Sequence, residues 1–520
     1  MSDIGLGSWP MRRARMSADM VALRQAGRVL TYGQLARRVD TLASALAARG
    51  VRQGDRIAYL GPNDIATFET FFAAGRLGAV FVALNTRLSG AEITYMLADS
   101  GSTVLVHSGE TAALAAAAEP YGSGVRTVVS LDPTAALPGA VTYESLFAAT
   151  DVRLPERQVA LNDDALLLYT SGTTGRPKGA ILSHGNLTFN TMNQLAHVDV
   201  LGNDVALCIA PLFHVTGLGL VSMPVLFKGG TLVVAPKFDP AWVLRVIAEE
   251  RITAFSAVPT MLQMLAEHPD WSGANLRSLR YVIYGGSPVN LRIARAWQER
   301  GVEILQGYGM TEAAPGIVMA LPEGAADRPG STGVPHFFTD NRVVDAGGRC
   351  IYPPAEGELL VRGPNVFRGY WKRPDESAAS FDGEWFRTGD VVRYDSNGWT
   401  YVVGRVKDMF ISGGENVYPA EVESVIAQLP EVADSAVIGV PDERWGEVGA
   451  AFVLLKVGTT LDEEQLRRHL NDRLARYKIP RYVRFVDQLP RTASGKVRKA
   501  YLRTTFTDRS TTRPEAEERA

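Results

Sequence analysis

The segment Tyr169-Thr170-Ser171-Gly172-Thr173-Thr174-Gly175-Arg176-Pro177-Lys178-Gly179 has the residue types to hold phosphate. An apolar run, Ala165 to Leu168, feeds a loop of glycines and hydroxyl residues that ends on a cation. Glycines let backbone N–H groups approach phosphate oxygens, hydroxyls add donors, and a lysine supplies a point charge. The loop is not the P-loop of nucleotide hydrolases, because no Gly-Lys pair is followed by Ser or Thr at the required spacing. A Gly-rich surface turn is the plain reading of any single glycine here. An unbroken run of such residues argues against it.

Other residues able to handle charge occur singly: His214 after Pro211-Leu212-Phe213, Glu312 after Thr311, Asp390 in Thr388-Gly389-Asp390, Arg405 and Lys407 in Gly404-Arg405-Val406-Lys407-Asp408, and Lys496 closing Thr492-Ala493-Ser494-Gly495-Lys496. Phosphate oxygens carry negative charge, so a site that holds them must neutralise and align that charge. Glu312 offers a hard oxygen to Mg²⁺, which takes one or two carboxylates plus phosphates. Taken alone, each residue has a blander reading: a solvated lysine, a turn aspartate, a packed histidine. Cys208 and Cys350 stand apart, with neither metal spacing nor a disulfide framework, as in a reducing cytoplasm.

These residues need elements to position them. Residues 34–49 and 65–77 carry the helical period, and the short apolar runs 56–60 and 80–83 read as strands. Such alternation predicts α/β layering around a buried, largely parallel sheet. It returns as a strand over 279–284, a helix over 291–300 and a strand over 303–306. From about Val343, short runs joined at Asp382–Gly383 and Asn397–Gly398 predict a small antiparallel region. A compact α+β unit follows, with strands near Met409, Val437, Phe452 and Val483 and helices from Ala420 and Asp462. The expected organisation is a large N-terminal domain over 1–403, a hinge over 404–408, a small mobile C-terminal domain over 409–506 and a polar tail over 507–520.

Bulk properties exclude several classes. A net charge of −2 over 520 residues gives no electrostatic case for nucleic acid or an anionic membrane surface. Arg12, Arg13 and Arg15 are not followed by an apolar run of signal-peptide length. The most apolar stretch, 217–227, is too short to span a bilayer and contains Ser222 and Pro224. No transmembrane segment is expected, and a cytoplasmic location is.

The phosphate segment resembles the signature loop of the adenylate-forming superfamily, which includes acyl-CoA synthetases, luciferases and peptide-synthetase adenylation domains. Further matches follow in family order: Pro211-Leu212-Phe213-His214, Tyr284-Gly285-Gly286-Ser287-Pro288, Gln306-Gly307-Tyr308-Gly309-Met310-Thr311-Glu312, Thr388-Gly389-Asp390, Gly404 to Asp408, Ser412-Gly413-Gly414-Glu415-Asn416-Val417-Tyr418-Pro419, and Pro490 to Lys496. The resemblance covers nearly the whole chain. It implies that an acid is activated with ATP and Mg²⁺ as an acyl-adenylate and passed to coenzyme A.

The resemblance also implies roles. Lys496 is the adenylation lysine, Glu312 the Mg²⁺ ligand with Thr170 beside it, and Lys178 with Thr170, Ser171, Gly172, Thr173, Thr174 and Gly175 the phosphate cradle. Tyr308 stacks on adenine opposite Gly285, Gly286 and Ser287, within the run Gln306, Gly307, Gly309, Met310, Thr311. Asp390 accepts from the ribose hydroxyls, with Arg405 as its partner, and Lys407 is the hinge residue. His214 orients the carboxylate or is merely packed; Val215, Gly217, Tyr284, Gly309, Ala313, Ala314 and Pro315 line the acid pocket. Ser412, Gly413, Gly414, Trp445, Tyr477 and Lys478 face coenzyme A, though packing explains the last three equally well.

The pocket segments 214–218, 255–259, 284–287 and 309–317 are mostly apolar and hold no arginine, which disfavours a second carboxylate on the substrate. The narrower resemblance is to bacterial hydroxycinnamate (feruloyl)–CoA synthetases, through Gly5-Leu6-Gly7-Ser8-Trp9-Pro10, Ala58-Tyr59-Leu60-Gly61-Pro62-Asn63 and Thr311 to Gly316. Medium- and long-chain fatty acyl-CoA ligases are the alternative. A carrier-protein-loading enzyme and a non-catalytic ATP sensor are the rivals. Lys178, Glu312, Asp390, Arg405 and Lys496 are all present, which argues against the sensor. The expected partners are the acid, ATP and coenzyme A; whether the chain forms a homodimer stays open.

Overall fold

Helix Ile65–Leu77 begins where the Asp64 carboxylate accepts the Ala66 N–H at 2.8 Å and the Thr67 hydroxyl accepts the Asp64 N–H at 3.3 Å. It ends at Gly78, left-handed at φ 63°, a conformation glycine adopts without strain. Almost every side chain between is buried. The Phe71 ring meets Phe81 of strand Val80–Leu84 edge-on at 5.6 Å, and burying an aromatic of this kind contributes about 1.5–3 kcal/mol. All five residues of that strand are buried, as in a parallel sheet covered on both faces.

A computed structural model describes residues 3–148, 158–170, 177–286, 291–328, 330–412, 415–471, 473–492 and 496–510. The chain forms two compact units: Met1–Val289 with Ile293–Asn341 and Leu360–Arg387, and Asn290–Arg292 with Arg342–Leu359 and Thr388–Ala520.

The first unit contains two large sheets. One has seven strands in the order 141–142, 127–130, 102–107, 56–60, 80–84, 164–170, 178–183, parallel except for the last pair. The other has nine, running 334–335, 316–319, 303–309, 281–284, 254–257, 205–208, 231–234, 21–25, 28–31, with a parallel centre and antiparallel edges. Phe255, Trp297 and Ile247 pack beneath its centre, fully buried.

The second unit includes residues 390–394 paired with 400–405, turning at Gly398 with φ 80°. Its five-stranded sheet runs Glu415–Val417, Phe410–Ser412, Gly446–Leu455, Val432–Asp442, with Tyr482–Phe485 also paired to Gly446–Leu455. Helices Pro419–Ile426 and Glu463–Asn471 cover one face through Val422, Ile426, Leu466 and Leu470. Leu502 and Phe506 of the last helix join a second cluster with Ile438 and Val440.

Element boundaries differ from the expectations at a few points. The helix expected over 291–300 ends at Gln298, and the strand expected over 303–306 continues to Gly309. The apolar stretch 217–227 becomes a π-helical turn, Leu218–Ser222, followed by helix Met223–Lys228. The final helix, Lys499–Ser510, reaches past 507, where a tail was expected to begin. No described helix is long and apolar enough to cross a membrane.

Candidate active site

Four adjacent parallel strands, 303–309, 281–284, 254–257 and 205–208, bring together the sequence-distant pocket segments. Residues 257–259, 284–286 and 309–317 lie at or just beyond their strands' C-terminal ends, and 214–218 follows Cys208 by six residues; open α/β sheets bind ligands at such ends. Tyr284 and Gln306 pair in register, and the Tyr284 phenol donates to Gln306 Oε1 at 3.1 Å. A Cβ on Gly285 would lie 2.8 Å from the Gly307 carbonyl, so these two motifs meet backbone to backbone. Tyr308 is half-buried in the same strand. His214 is half-buried beside Phe213, ring centroids 4.8 Å apart, and its carbonyl accepts the Gly217 N–H.

The glycine- and hydroxyl-rich segment lies between strands Asp164–Thr170 and Lys178–Ser183, whose last described pair is Thr170 with Lys178. Ser171, Gly172, Thr173, Thr174 and Gly175 lie outside the described residues, as do Ser287, Gly413 and Gly414. Both ends of the loop are braced on helix Gly90–Ser100. Tyr169 donates to Asp99 Oδ2 at 2.8 Å, and Tyr95 donates to the Pro177 carbonyl at 3.2 Å. Arg373 reaches both Tyr95 Oη and Asp99 Oδ1.

Residues 367–371 strap this hairpin to Glu312. The Phe367 N–H donates to the Glu312 carbonyl at 2.8 Å, and the Trp371 N–H donates to the Gly179 carbonyl at 2.8 Å. The Tyr370 phenol donates to Glu312 Oε1 at 2.9 Å. Burial and the Glu312 charge push that phenol far above its usual range. Lys178 Nζ lies 5.0 Å from the centre of the Tyr370 ring and is ion-paired with Glu376. Tyr370 and Glu376 were missed in the sequence, since neither falls in a motif with charge or glycine spacing.

The turn after Glu312 is fixed by close packing. A Cβ on Gly309 would sit 1.7 Å from the Pro315 carbonyl oxygen, and one on Gly219 would sit 2.5 Å from Pro315 Cδ. Ala314 is left-handed at φ 64°, which costs an L-residue about 1–2 kcal/mol. Fully buried asparagines offset that cost. Asn190 accepts the Gly316 N–H at 3.1 Å and donates to the Gly219 carbonyl at 2.8 Å. Asn365 donates to the carbonyls of Ala313 and Gly316 and accepts from Thr339. On helix His184–His197, Asn186, Asn190, Asn193 and His197 recur at helical spacing, a polar stripe that periodicity could have revealed.

In the second unit, Asp390 is buried and ion-paired with Arg405, Nε to Oδ1 3.0 Å, across the strand pair that joins them. Lys407 is exposed in the single turn Val406–Asp408. Lys496 is exposed, and its N–H donates to Thr492 Oγ1 at 3.2 Å while its carbonyl accepts the Thr492 N–H. Ser412 is buried and pairs with Gly446. Trp445 is 46% exposed, whereas the Lys478 ammonium is held by Glu421 at 2.7 Å.

The strand ends of a largely parallel sheet, a hairpin braced on Asp99 and the Glu312 carboxylate strapped to it suit an acid-activating enzyme. The chain belongs to the AMP-binding enzyme family, whose pattern matches residues 11–371, with the family's C-terminal domain over 421–496. It is an acid–thiol ligase. It is 49% identical over 506 residues to a feruloyl-CoA synthase of Amycolatopsis, covering 97% of this chain and all of that one. It is 36% identical to a long-chain-fatty-acid–CoA ligase of Mycobacterium tuberculosis, covering 91% of this chain and 92% of that one. A crystal structure of an anthranilate CoA ligase with anthranoyl-AMP superimposes at TM-score 0.90, with 28% identity and coverage of 98% and 99%.

Proposed function

We propose that the chain converts a hydroxycinnamate such as ferulate or coumarate, with ATP, to its acyl-adenylate and pyrophosphate, and then passes the acyl group to coenzyme A with release of AMP. The observation that carries the reading is the convergence of four apolar segments at adjacent strand ends, beside Glu312. The 49% identity to a feruloyl-CoA synthase supports the acid assigned.

The carboxylate of the acid attacks the α-phosphorus of ATP, and the P–O bond to pyrophosphate breaks. Lys178 and the hydroxyl of Thr170 bind phosphate oxygens, and Lys496 supplies its ammonium to the reacting oxygens. Glu312 offers a carboxylate and Thr170 a hydroxyl, donors that suit Mg²⁺, which would neutralise phosphate charge there. Asp390, held by Arg405, accepts from the ribose, and Tyr308 offers its ring to adenine. In the second step the thiol of coenzyme A attacks the acyl carbon, and AMP leaves. The segment after hinge residue Lys407 serves the two steps in turn: Lys496 serves the first, and Ser412 to Gly414 with Trp445, Tyr477 and Lys478 serves the second.

The second reading, a medium- or long-chain fatty acyl-CoA ligase, is favoured by the 36% identity to the mycobacterial enzyme. An apolar pocket separates acids one methylene apart by only about 1–3 kcal/mol, so the two activities can overlap. Purified protein with ATP, Mg²⁺ and coenzyme A, given ferulate, coumarate, cinnamate, benzoate, hexanoate, decanoate and palmitate, separates them by mass spectrometry. Feruloyl and coumaroyl thioesters as main products support the first reading. Thioesters from alkyl acids alone would replace it with the second, and adenylates without any thioester would point to a carrier protein as acceptor.

A further inference from the structure

Glu312 and Lys178 carry opposite charges and share one neighbour. Tyr370 donates its phenol to Glu312 Oε1 at 2.9 Å and turns its ring to the Lys178 ammonium, 5.0 Å from the ring centre. Opposite charges that share a neighbour attract strongly where water is thin. If they paired, the ion pair would take the metal-binding carboxylate and the phosphate-binding cation out of use together. Instead Lys178 pairs with Glu376, which lies on helix Pro374–Ala379, and Glu312 pairs with a neutral donor. Tyr370 is itself fixed: its N–H donates to Ser377 Oγ at 2.8 Å, and its ring meets Phe367 edge-on at 5.0 Å.

We propose that Tyr370 is a positioning residue for adenylation, holding the Glu312 carboxylate for the divalent cation and keeping it apart from Lys178. The proposal rests on the ligase reading above. Tyr370→Phe keeps the ring under Lys178 and removes only the donor to Glu312. The freed carboxylate then turns to Lys178, and cation binding weakens.

The test titrates Mn²⁺ by electron paramagnetic resonance in the presence of α,β-methylene ATP, with wild type, Tyr370→Phe, Lys178→Ala and the double variant. Tyr370→Phe is expected to raise the Mn²⁺ dissociation constant about tenfold, the scale of one hydrogen bond to a charged group. In the Lys178→Ala background the same change is expected to cost less than about threefold, because the competing ammonium is gone. Unchanged Mn²⁺ affinity in Tyr370→Phe, with or without a lowered melting temperature, would overturn the proposal, as would an equal loss in both backgrounds. Wild-type protein that binds no Mn²⁺ with the analogue and forms no adenylate would instead overturn the ligase reading.

Discussion

Asn365 donates its side-chain amide to the carbonyl of Gly316 at 2.7 Å, although 49 positions separate the two residues. The same amide reaches the Ala313 carbonyl at 3.1 Å, so one buried side chain fixes the turn that follows Glu312. Asn365→Ala leaves two buried carbonyls without this donor, at about 1–3 kcal/mol for each unsatisfied group. The expected outcome is a lower urea midpoint together with a raised KM for the acid. A variant that melts like wild type and keeps that KM would show the turn needs no such clamp.

Close approach makes a second prediction at Gly219. A methyl group there would meet Pro315 Cδ at 2.5 Å and the Ala314 carbonyl oxygen at 2.9 Å. Overpacking of this kind costs about 1–3 kcal/mol, and here it would push the Ala313–Pro315 wall inward. Gly219→Ala should raise KM for the bulkier hydroxycinnamates more than for hexanoate. Measured KM ratios that do not move with acid size would place Gly219 away from the pocket.

The buried Asp390 carboxylate, paired with Arg405 at 3.0 Å, is assigned to the ribose. Asp390→Ala is therefore expected to raise KM for ATP by about tenfold or more, with KM for the acid nearly constant. Pyrophosphate exchange at varied ATP and varied acid distinguishes the two effects. Equal rises in both constants would speak for general damage.

Much of the candidate site was legible because phosphate chemistry demands local runs: glycines and hydroxyls before Lys178, Gly285 and Gly286 after the aromatic strand Tyr281–Tyr284, Thr311 before Glu312. The strands Arg56–Leu60 and Val80–Leu84 were legible for a similar reason, as unbroken apolar runs between amphipathic helices. What escaped depends on contacts between distant segments. Tyr370 matters through a phenol aimed at a residue 58 positions away, and no pattern within its own segment announces that. Asn365 looks like an ordinary polar residue until the fold buries it. The Leu218–Ser222 turn is π-helical where the sequence shows only an apolar stretch.

Acid should weaken the fold through His184. Its Nδ1 accepts the Leu6 N–H at 3.1 Å, so protonation of that nitrogen breaks the contact holding residues near the start of the chain. Burial lowers its pKa from 6.5 to about 4. A folded-state pKa below the unfolded value gives stability that is complete above pH 6.5 and is lost as pH falls toward 4. The full amount is about 3 kcal/mol. Urea midpoints measured from pH 8 to pH 4 should fall across this window in wild type and less steeply in His184→Gln. Parallel slopes would remove His184 from the account.

The most direct test of the account assigns the two half-reactions to separate groups through Lys496→Ala. Wild type and variant are given ferulate, ATP and Mg²⁺ in one assay, and synthetic feruloyl-adenylate with coenzyme A in the other. The variant is expected to form no detectable adenylate in the first assay, yet to make feruloyl-CoA in the second at a rate near that of wild type. Equal loss in both assays, or adenylate formed at the wild-type rate, would contradict it.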